Sequence, residues 1–535
     1  MNSTSTSKSN SARRNAKPKR RTLIQNAASK RGESSLDLAL ANIARFGDTD
    51  VVPPFFERHV FADRPEEALH ALRTMDEATN HPHVPSVERL PLQTGWPGLR
   101  NVCQLDPVST ACYLETTLRI APKVEHVRAA WSYGNRFAPE LASGRIFARG
   151  NGYKEFIEQA DALASMGGFV VTADIQSFYQ SIPHGFLEAQ LRGLVRERSI
   201  IDRTMRQLRS YGFEGHGLPV GGPASRILAE VVLALTDQKL EENGIAALRF
   251  ADDYRLFATT ENEAFRAALT LSDALSRNGG FALNRAKTVI ESAEDYLDPC
   301  VEDRSRRSLI RTLGLSSYSS TTDDGSVHTN LDIPSLLTKE LRRPHPSPAL
   351  GKKLIHAVRY LPEDQKLEAL RVLASKLSIL GPLFPPVAVM LSDVLPSIYP
   401  DAEFIYSELR KSVLSDTYLW SLPATLAYWV RVMAMDPHPT TTEIMIRLFD
   451  STSSEMVRRD VILAMARRNS AHWFRGLFGR TGLPPGERRA LLAAAMGTEG
   501  GDSWRKSIRV SPFDDLIARW AEEQRAANSN WCPPF

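Results

Sequence analysis

The chain has 535 residues, which is enough for two to four domains of about 100–200 residues each. With 42% hydrophobic and 24% charged residues, it can bury sizeable cores, which excludes a globally disordered protein. The longest uncharged apolar stretch, Leu377 to Ser392, is too short to span a bilayer and is interrupted by three prolines. We therefore expect no membrane association.

The cysteines predict a reducing compartment. They are far apart and show no paired CxxC spacing, which argues against a disulfide framework and against a zinc site. No positively charged start followed by an apolar stretch opens the chain, so no secretory signal is visible. These features predict a cytoplasmic protein with free thiols at Cys103, Cys112, Cys300 and Cys532.

The net charge of +4 is unevenly distributed. Residues 1–31 contain nine Lys or Arg and no acid, so that removing them from 66 basic against 62 acidic residues leaves 57 against 62, a net charge of −5. A Ser/Asn/Lys/Arg-rich segment cannot bury a core, and we predict a disordered basic tail over residues 1–35. Such a tail either attracts phosphate backbones or only solubilises the chain, and both readings stay open.

The elements that follow predict an α+β region. Short amphipathic helices are expected at Leu36–Ile43 and Pro65–Met75, and a mixture of strands and helices from about 105 to 296. The β-branched run Gly168–Ile175 predicts a buried strand. The segment Leu248–Ala258 predicts a strand, a tight turn and a second strand.

Beyond about residue 316 the pattern changes to helices. A polar stretch, residues 316–330, predicts a linker, and the helix-like segments of about 12–16 residues that follow have short Pro or Gly breaks. We therefore predict an all-α, HEAT-like helical repeat domain over 316–535, although no strict repeat length is visible.

Three aspartates occupy the end of a predicted strand and a predicted hairpin turn, which are positions that can present metal ligands. Asp174 ends the predicted strand, and Asp252 and Asp253 occupy the predicted hairpin turn 78 residues later. Phosphoryl transfer with two magnesium ions needs a few carboxylates at one point, because these hard cations prefer oxygen ligands. Strand ends and hairpin turns are rigid places from which to present such ligands.

An Asp-Asp pair alone is weak support, and the chain contains its own comparison. Asp323–Asp324 lies in a polar stretch, and Asp514–Asp515 precedes a helix-like run in which acids suit the N-terminus. Asp252–Asp253 differs because apolar strand-like segments, Leu248–Phe250 and Tyr254–Phe257, flank it on both sides. Adjacent acids in such surroundings are costly unless a cation compensates them.

Four segments together resemble the polymerase motifs of reverse transcriptases, in the family's order. They are Ala173–Ile182, Gly217–Glu230, Phe250–Asp253 and Leu283–Thr288. The resemblance implies an α+β right-hand polymerase, with palm and fingers of reverse-transcriptase type over residues 36–315. No RNase H pattern and no maturase-like region follows.

The resemblance also implies roles for the acids and their neighbours. Asp174, Asp252 and Asp253, with the carbonyl of Ile175, would bind two Mg²⁺ ions, or Mn²⁺. Lys287 would protonate the leaving pyrophosphate, and a solvated surface lysine is the alternative reading.

Further positions are implied at the nucleotide. Phe178 and Tyr179 are implied nucleotide contacts. Tyr179 matches the bulky gate that excludes a ribose 2′-hydroxyl, and a core aromatic beside Phe178 is the alternative reading. Ser225 and the Gly221 turn would lie beneath the incoming nucleotide and template, or form a plain helix start. Arg136 is a candidate contact to the triphosphate, with an ordinary surface arginine as the alternative.

Details of the second motif are similar to the abortive-infection (Abi) and related defence-associated reverse transcriptases of bacteria. Val220 stands where retroviral and intron enzymes usually have glutamine, and the Ser225–Glu230 ending and the helical C-terminal half fit the Abi group. That group implies antiphage defence in the bacterial cytoplasm, homo-oligomers and, in some members, untemplated, protein-primed DNA synthesis. Expected partners are dNTPs and nucleic acid, namely a DNA product and an RNA template or non-coding RNA.

Two alternatives stay open. A retron- or intron-type reverse transcriptase would copy one dedicated RNA, which would co-purify with it. A nucleic-acid-binding scaffold with an inactive polymerase core would keep its biological effect after Asp252→Asn.

Overall fold

The computed structural model describes residues 35–77, 86–297 and 331–535, apart from positions 50, 96–97, 151, 416, 469, 481, 497, 499 and 509. The predicted linker, Cys300, the Asp323–Asp324 pair and all but the last residue of the predicted tail lie outside these residues. Their predictions stay untested.

The described chain opens with helices and a β-hairpin, and the two helices predicted here are confirmed, each slightly longer than expected. The elements are α1 (Ser35–Phe46), α2 (Arg58–Asp63), α3 (Pro65–Glu77), β1 (Val87–Gln93), β2 (Leu99–Leu105) and α4 (Pro107–Val127). Strands β1 and β2 pair antiparallel. Helix α4 begins where the Asp106 carboxylate accepts hydrogen bonds from two backbone amides of the first turn.

The central region contains a small hairpin, helices and a four-stranded sheet. Its elements are β3 (Phe137–Glu140), β4 (Arg145–Phe147), α5 (Gly152–Ala164), β5 (Phe169–Asp174), α6 (Phe178–Ser181), α7 (His184–Leu194), α8 (Arg198–Ser210), α9 (Pro223–Glu242), β6 (Ala246–Phe250), β7 (Asp253–Ala258), α10 (Glu261–Arg277), β8 (Val289–Ser292) and α11 (Ala293–Leu297). The sheet is antiparallel throughout, in the order β6-β7-β5-β8. The predicted strand at 168–175 and the predicted strand–turn–strand at 248–258 are confirmed.

The sheet is covered on both faces. Along β5, Val171 and Ala173 belong to the main core with α9 and α10, whereas Val170 belongs to a second cluster with α5 and α11. This alternation follows from the two-residue period of a strand, which sends successive side chains to opposite faces. Asp174 is four residues beyond Val170 and therefore lies on the α5 face, at the end of the sheet.

The C-terminal region is entirely helical in its described part, as predicted. Its helices are α12 (Ile333–Leu341), α13 (Pro348–Ala357), α14 (Glu363–Ala374), α15 (Phe384–Ile398), α16 (Glu403–Val413), α17 (Pro423–Met433), α18 (Pro439–Ser451), α19 (Glu455–Ala466), α20 (Ala471–Phe478), α21 (Pro485–Ala495), α22 (Gly501–Ser507) and α23 (Pro512–Ala527). Helices α13, α15, α17, α19, α21 and α23 stack successively, and α12, α14 and α16 form a second stack. Such stacking is typical of helical arrays, and the HEAT-like assignment stays a prediction.

The helical array shares its core with the N-terminal part of the chain. One hydrophobic cluster includes residues of both regions, and α3 packs on α23. Buried polar contacts join them as well: Arg489 Nε lies 2.7 Å from Glu57 Oε1, and the Glu88 carboxylate of β1 accepts a 2.8 Å hydrogen bond from Met456 N at the start of α19. The two predicted domains therefore form one continuous body along this interface.

One described segment, Gly381–Ile398, passes a test of length and composition for a membrane span, with a mean hydropathy of 1.3. It includes α15, and 61% of it is buried inside the protein. Helix α15 packs against α13 and α17, as a core helix of a helical array does.

Candidate active site

The three predicted aspartates lie at one end of the central sheet. Asp174 is the last residue of β5 and Asp253 the first of β7, and the two are direct cross-strand partners. Direct partners in an antiparallel pair have Cβ atoms about 4.5–5.5 Å apart on the same face. Asp252 precedes Asp253 in the turn, and its carbonyl accepts a hydrogen bond from Ile175 N at 3.3 Å. We call Asp174, Asp252 and Asp253 the acid end of the sheet.

The turn that carries the aspartates has an unusual backbone. Phe250 pairs with Asp253, so that only Ala251 and Asp252 connect β6 to β7. Ala251 has φ of +53°, in the left-handed region that non-glycine residues seldom adopt, and Ser177, just beyond Asp174, has φ of +50°. Backbone strain of this kind persists only where surrounding contacts enforce it, and it is concentrated at functional sites.

Arg249 holds the turn from behind. It is fully buried, and its Nη1 donates to the Ala251 carbonyl at 2.9 Å. Its Nε lies 3.0 Å from Asp237 Oδ1, and its Nη2 lies 2.8 Å from Glu230 Oε2, both on α9. Arg128 Nε, at the end of α4, lies 3.0 Å from the same Glu230 carboxylate. We call Arg128, Glu230, Asp237 and Arg249 the buried ion network.

The acid end concentrates negative charge. Burial, followed by the charges of Asp253 and Asp174, raises the pKa of Asp252 to about 6. Burial also raises the pKa of Asp253, although Arg255 and Lys287 oppose this. The aspartates therefore repel one another in the folded chain, which a divalent cation between them would relieve.

The Asp174 carboxylate contacts two residues of the fourth motif-like segment, Leu283–Thr288. Lys287 Nζ lies 2.8 Å from Asp174 Oδ2, and Asn284 Nδ2 donates to Asp174 Oδ1 at 3.3 Å. Burial alone would lower the pKa of Lys287, but its hydrogen bond to Asp174 and the charges of the aspartates outweigh this and raise it. The predicted proximity of Lys287 to the reaction centre is supported by this geometry, whereas its role stays a prediction.

The acid end has the oxygen donors that a divalent metal prefers, but these donors are not yet arranged around a metal position. Among the described residues, no group of three or more His, Cys, Asp or Glu side chains is already arranged as a metal site. The cross-strand pairing nevertheless brings hard oxygen donors to one place, and the charges of Asp174 and Asp253 act on Asp252. In this structure Lys287 occupies one oxygen of the Asp174 carboxylate.

Two neighbouring aromatic residues near the acid end, Phe178 and Tyr179, differ in their burial. Both belong to α6, four and five residues after Asp174. Phe178 is 2% exposed, and its ring packs 5.4 Å from that of Phe281. The nucleotide contact predicted for Phe178 is therefore wrong, because its ring is core; it supports Tyr179, whose half-buried ring lies 5.6 Å away. The gate role of Tyr179 stays a prediction.

The second motif is covered by the chain itself. A Cβ atom on Gly221, which has φ of +123°, would lie 2.3 Å from Thr49 Oγ1, so glycine here admits the N-terminal segment. Ser225 is 1% exposed, and its hydroxyl lies 3.3 Å from that of Tyr113. The predicted contact of the Ser225 hydroxyl with nucleotide or template is contradicted, because this hydroxyl is buried against Tyr113. Gly221 is partly exposed, and its contact with nucleotide or template stays a prediction. The alternative reading, a helix start, is confirmed, because α9 begins at Pro223.

Arg136 is engaged by the protein itself, whereas the charge of another arginine, Arg100, acts on the acid end. Arg136 Nη1 lies 3.0 Å from Glu125 Oε1, and its Nη2 donates to the Ala129 carbonyl. Arg100 of β2 is exposed, and its charge acts on Asp252, opposing the rise in that pKa. Sequence reasoning missed Arg100, since the motifs do not include the hairpin; an arginine near the hairpin tip is the one signal available.

Comparison with known proteins agrees with this geometry. Residues 137–316 match the family model of reverse transcriptase (RNA-dependent DNA polymerase). Residues 137–316 thus contain a reverse transcriptase domain, in agreement with the resemblance of the four segments. A comparison with curated proteins gave no match.

Solved structures similar to the chain include two yeast telomerases, each in complex with the TWJ fragment of telomeric RNA. The Candida albicans structure has a TM-score of 0.27 and 12% identity, covering 68% of this chain and 63% of the other. The Candida tropicalis structure has a TM-score of 0.29 and 11% identity, covering 68% and 65%. The chain spans less than two thirds of the length of either telomerase.

Proposed function

We propose that the chain is a DNA polymerase that adds deoxynucleotides to a 3′-hydroxyl. The observation that carries this proposal is the cross-strand pairing of Asp174 with Asp253, with Asp252 in the adjoining turn. This acid end lies within the segment that matches the reverse transcriptase model.

The acid end is the proposed metal site. Asp174, Asp252 and Asp253 would hold two Mg²⁺ or Mn²⁺ ions, with the Ile175 carbonyl as a further ligand. When bound, the ions supply Lewis acidity for the attacking hydroxyl and neutralise charge on the triphosphate.

The remaining residues position the substrate and move a proton. Lys287 is an ammonium group at neutral pH, and it donates a proton to the departing pyrophosphate oxygen after its salt bridge to Asp174 opens. Arg100 binds the triphosphate from the β1–β2 hairpin. Tyr179 closes the space that a ribose 2′-hydroxyl would need, which selects deoxynucleotides.

Incorporation of labelled dNTPs by the purified chain with Mg²⁺ tests the activity. Asp174→Ala and Asp252→Asn should each lower incorporation at least about 100-fold while circular dichroism stays unchanged, because each removes a carboxylate that would hold the metal ions. The exposed Asp364 provides a matched control, and Asp364→Asn should retain activity. Equal incorporation by Asp252→Asn would reject the acid end as the polymerase site, whereas no incorporation by the unaltered chain would favour the scaffold alternative.

We also propose that this synthesis acts in bacterial antiphage defence, in the cytoplasm and as a homo-oligomer. The Ser225–Glu230 ending of the second motif and the helical array on the same chain support this proposal. Phage challenge of cells that express the chain or Asp252→Asn tests it, with protection expected only from the unaltered chain. Product sequencing and a protease-dependent shift in product mobility separate untemplated, protein-primed synthesis from copying of a dedicated RNA.

A further inference from the structure

Helix α8 carries a row of arginines on its outward face. The helix buries Ile201, Met205 and Leu208 against the rest of the protein. Three arginines are exposed on the helix, Arg198, Arg206 and Arg209, and a fourth, Arg196, is exposed two residues before it. We call these four residues the α8 arginine row.

The row differs from the other arginines nearby because it lacks acidic partners. Arg192 lies 2.5 Å from Glu188, and Arg203 lies 3.7 Å from Glu115. No residue of the row has a carboxylate within 4.0 Å in the part of the chain that the structure describes. Residues 192–210 contain six arginines and two acids, in a chain whose residues 32–535 carry a net charge of −5.

Helix stability does not account for this placement. Arg198 stands in the first turn of α8 and Arg196 just before it, where a cation opposes the helix dipole at a cost of about 0.3–1 kcal/mol. Only Arg209, in the last turn, is placed favourably. The row is therefore better explained by an anionic ligand than by the helix itself.

The row continues towards the acid end. Beyond α8, Arg89 of β1 donates through Nη2 to the Gly212 carbonyl at 2.5 Å, and its guanidinium lies 4.6 Å above the Phe213 ring. The same loop then reaches α6, where Leu218 N donates to the Tyr179 carbonyl at 2.9 Å.

The β1–β2 hairpin completes the connection. Strand β1 pairs with β2, and Asn101 of β2 accepts a 3.1 Å hydrogen bond from Gln180. Next to it, Arg100 acts on Asp252. The loop after α8 and the β1–β2 hairpin thus connect α8 to the acid end, and they carry the exposed Arg89 and Arg100 together with the exposed Glu214.

We propose that the α8 arginine row binds the phosphate backbone of a single-stranded nucleic acid and guides it to the acid end. This inference rests on the proposed polymerase function and adds the path of its nucleic acid. From Arg198 to Arg209 the helix rises about 16 Å, the axial length of about five nucleotides. Guanidinium groups match phosphate oxygens in a bidentate manner, and contacts to phosphate alone make binding independent of base sequence.

The test is the salt dependence of binding of fluorescein-labelled oligo(dT) and oligo(U), measured by fluorescence anisotropy on the full chain. A plot of log K against log salt has a negative slope, to which each phosphate contact on a single strand contributes about −0.7. The double variant Arg206→Gln/Arg209→Gln should therefore make this slope less steep by about 1.4. The matched control is Arg266→Gln/Arg447→Gln, which removes two exposed arginines from α10 and α18. The basic tail is present in both variants and cancels in the comparison.

An equal change of slope in both double variants, or none in the α8 variant, would overturn the proposal. A change of slope with only oligo(dT) or only oligo(U) would also overturn the proposal, because contacts to phosphate alone distinguish neither the base nor the sugar. The result stays separable from the polymerase proposal, since Asp252→Asn should keep the full slope while losing incorporation. A chain that binds both probes through the row but incorporates no dNTP would reject only the polymerase.

Discussion

Two groups of charges lie on opposite sides of the turn at Phe250–Asp253, and the fold treats them in opposite ways. Behind the turn, the buried ion network pairs each charge with an opposite one, and Arg249 is fully buried. In front of it, the acid end gathers like charges near the surface and leaves them to repel one another. Paired charges are what a structural support requires, whereas repelling charges at a sheet end are what a cationic ligand requires.

The pKa directions show the same contrast. Burial favours a raised pKa for Glu230, but Arg128 and Arg249 outweigh it, so the pKa of Glu230 is lowered. Arg249 acts to lower the pKa of Asp237, but burial and the charge of Glu230 outweigh it, so the pKa of Asp237 is raised. In the network, the charges of the arginines oppose the effect of burial on the pKa of each acid. At the acid end, burial and the charges of the neighbouring aspartates both raise the pKa of Asp252.

The largest effect is expected from breaking the network. Arg249→Met leaves Asp237 and Glu230 buried without their shared cation, which should lower the free energy of unfolding by about 3–5 kcal/mol. Chemical denaturation measures this. The control Arg277→Met, at an exposed pair with Asp273, should leave the unfolding curve nearly unchanged, and an equally small effect at Arg249 would mean that the network is no support.

The second prediction concerns the repulsion at the acid end in metal-free protein. Because the folded pKa of Asp252 is about 6 and its ordinary value 3.8, the folded chain binds more protons in between and loses stability as pH rises through this window. Asp252→Asn should remove this loss and stabilise the chain by up to about 3 kcal/mol at pH 8, but not below about pH 4. Denaturation curves across this range decide it, and a gain that does not vary with pH would contradict the repulsion.

The third prediction separates the roles of Lys287. Its salt bridge to Asp174 is partly exposed, so Lys287→Ala should change the free energy of unfolding by less than about 1 kcal/mol. As proton donor it should matter more, and single-turnover incorporation should fall about 100-fold. Lys239→Ala, at an exposed pair with Glu242, is the control. Unchanged incorporation would leave Lys287 a solvated lysine.

The smallest effect is expected at the gate. Tyr179→Ala opens space beside the sugar and should raise the use of ribonucleotides relative to deoxynucleotides about 10-fold, a difference of the size that pocket shape provides. Competition between labelled dNTP and NTP measures the ratio. The exposed Tyr360→Ala is the control, and the same ratio in both variants would assign Tyr179 to packing.

Local pattern was sufficient for the strand and the turn that carry the acid end, whereas the meeting of their aspartates was implied by the resemblance of the four segments to polymerase motifs. The strand at Phe169–Asp174 and the turn at Asp252 follow from β-branched and apolar runs bounded by acids, which act over a few residues. The comparison pair Asp514–Asp515 was also placed correctly, at a helix start where Asp514 forms a capping box with Ser511. Such features depend on neighbours in sequence.

The errors depend on residues far apart in sequence. Ser225 was predicted to lie beneath the nucleotide, but its hydroxyl is buried against that of Tyr113, and no local pattern indicates which segment will approach. Likewise, Arg249 gains its role only when α9 packs behind β6, and Arg100 only when the β1–β2 hairpin reaches the turn. Tertiary packing decides these positions, and one sequence does not reveal it.

The most direct test of the acid end is a crystal structure of the chain with Mn²⁺ and a non-hydrolysable dNTP. Anomalous scattering should place manganese between the carboxylates of Asp174 and Asp252, with Lys287 displaced from Asp174 towards the phosphates. Manganese bound elsewhere, or Lys287 still on Asp174 beside an ordered nucleotide, would contradict the proposed site.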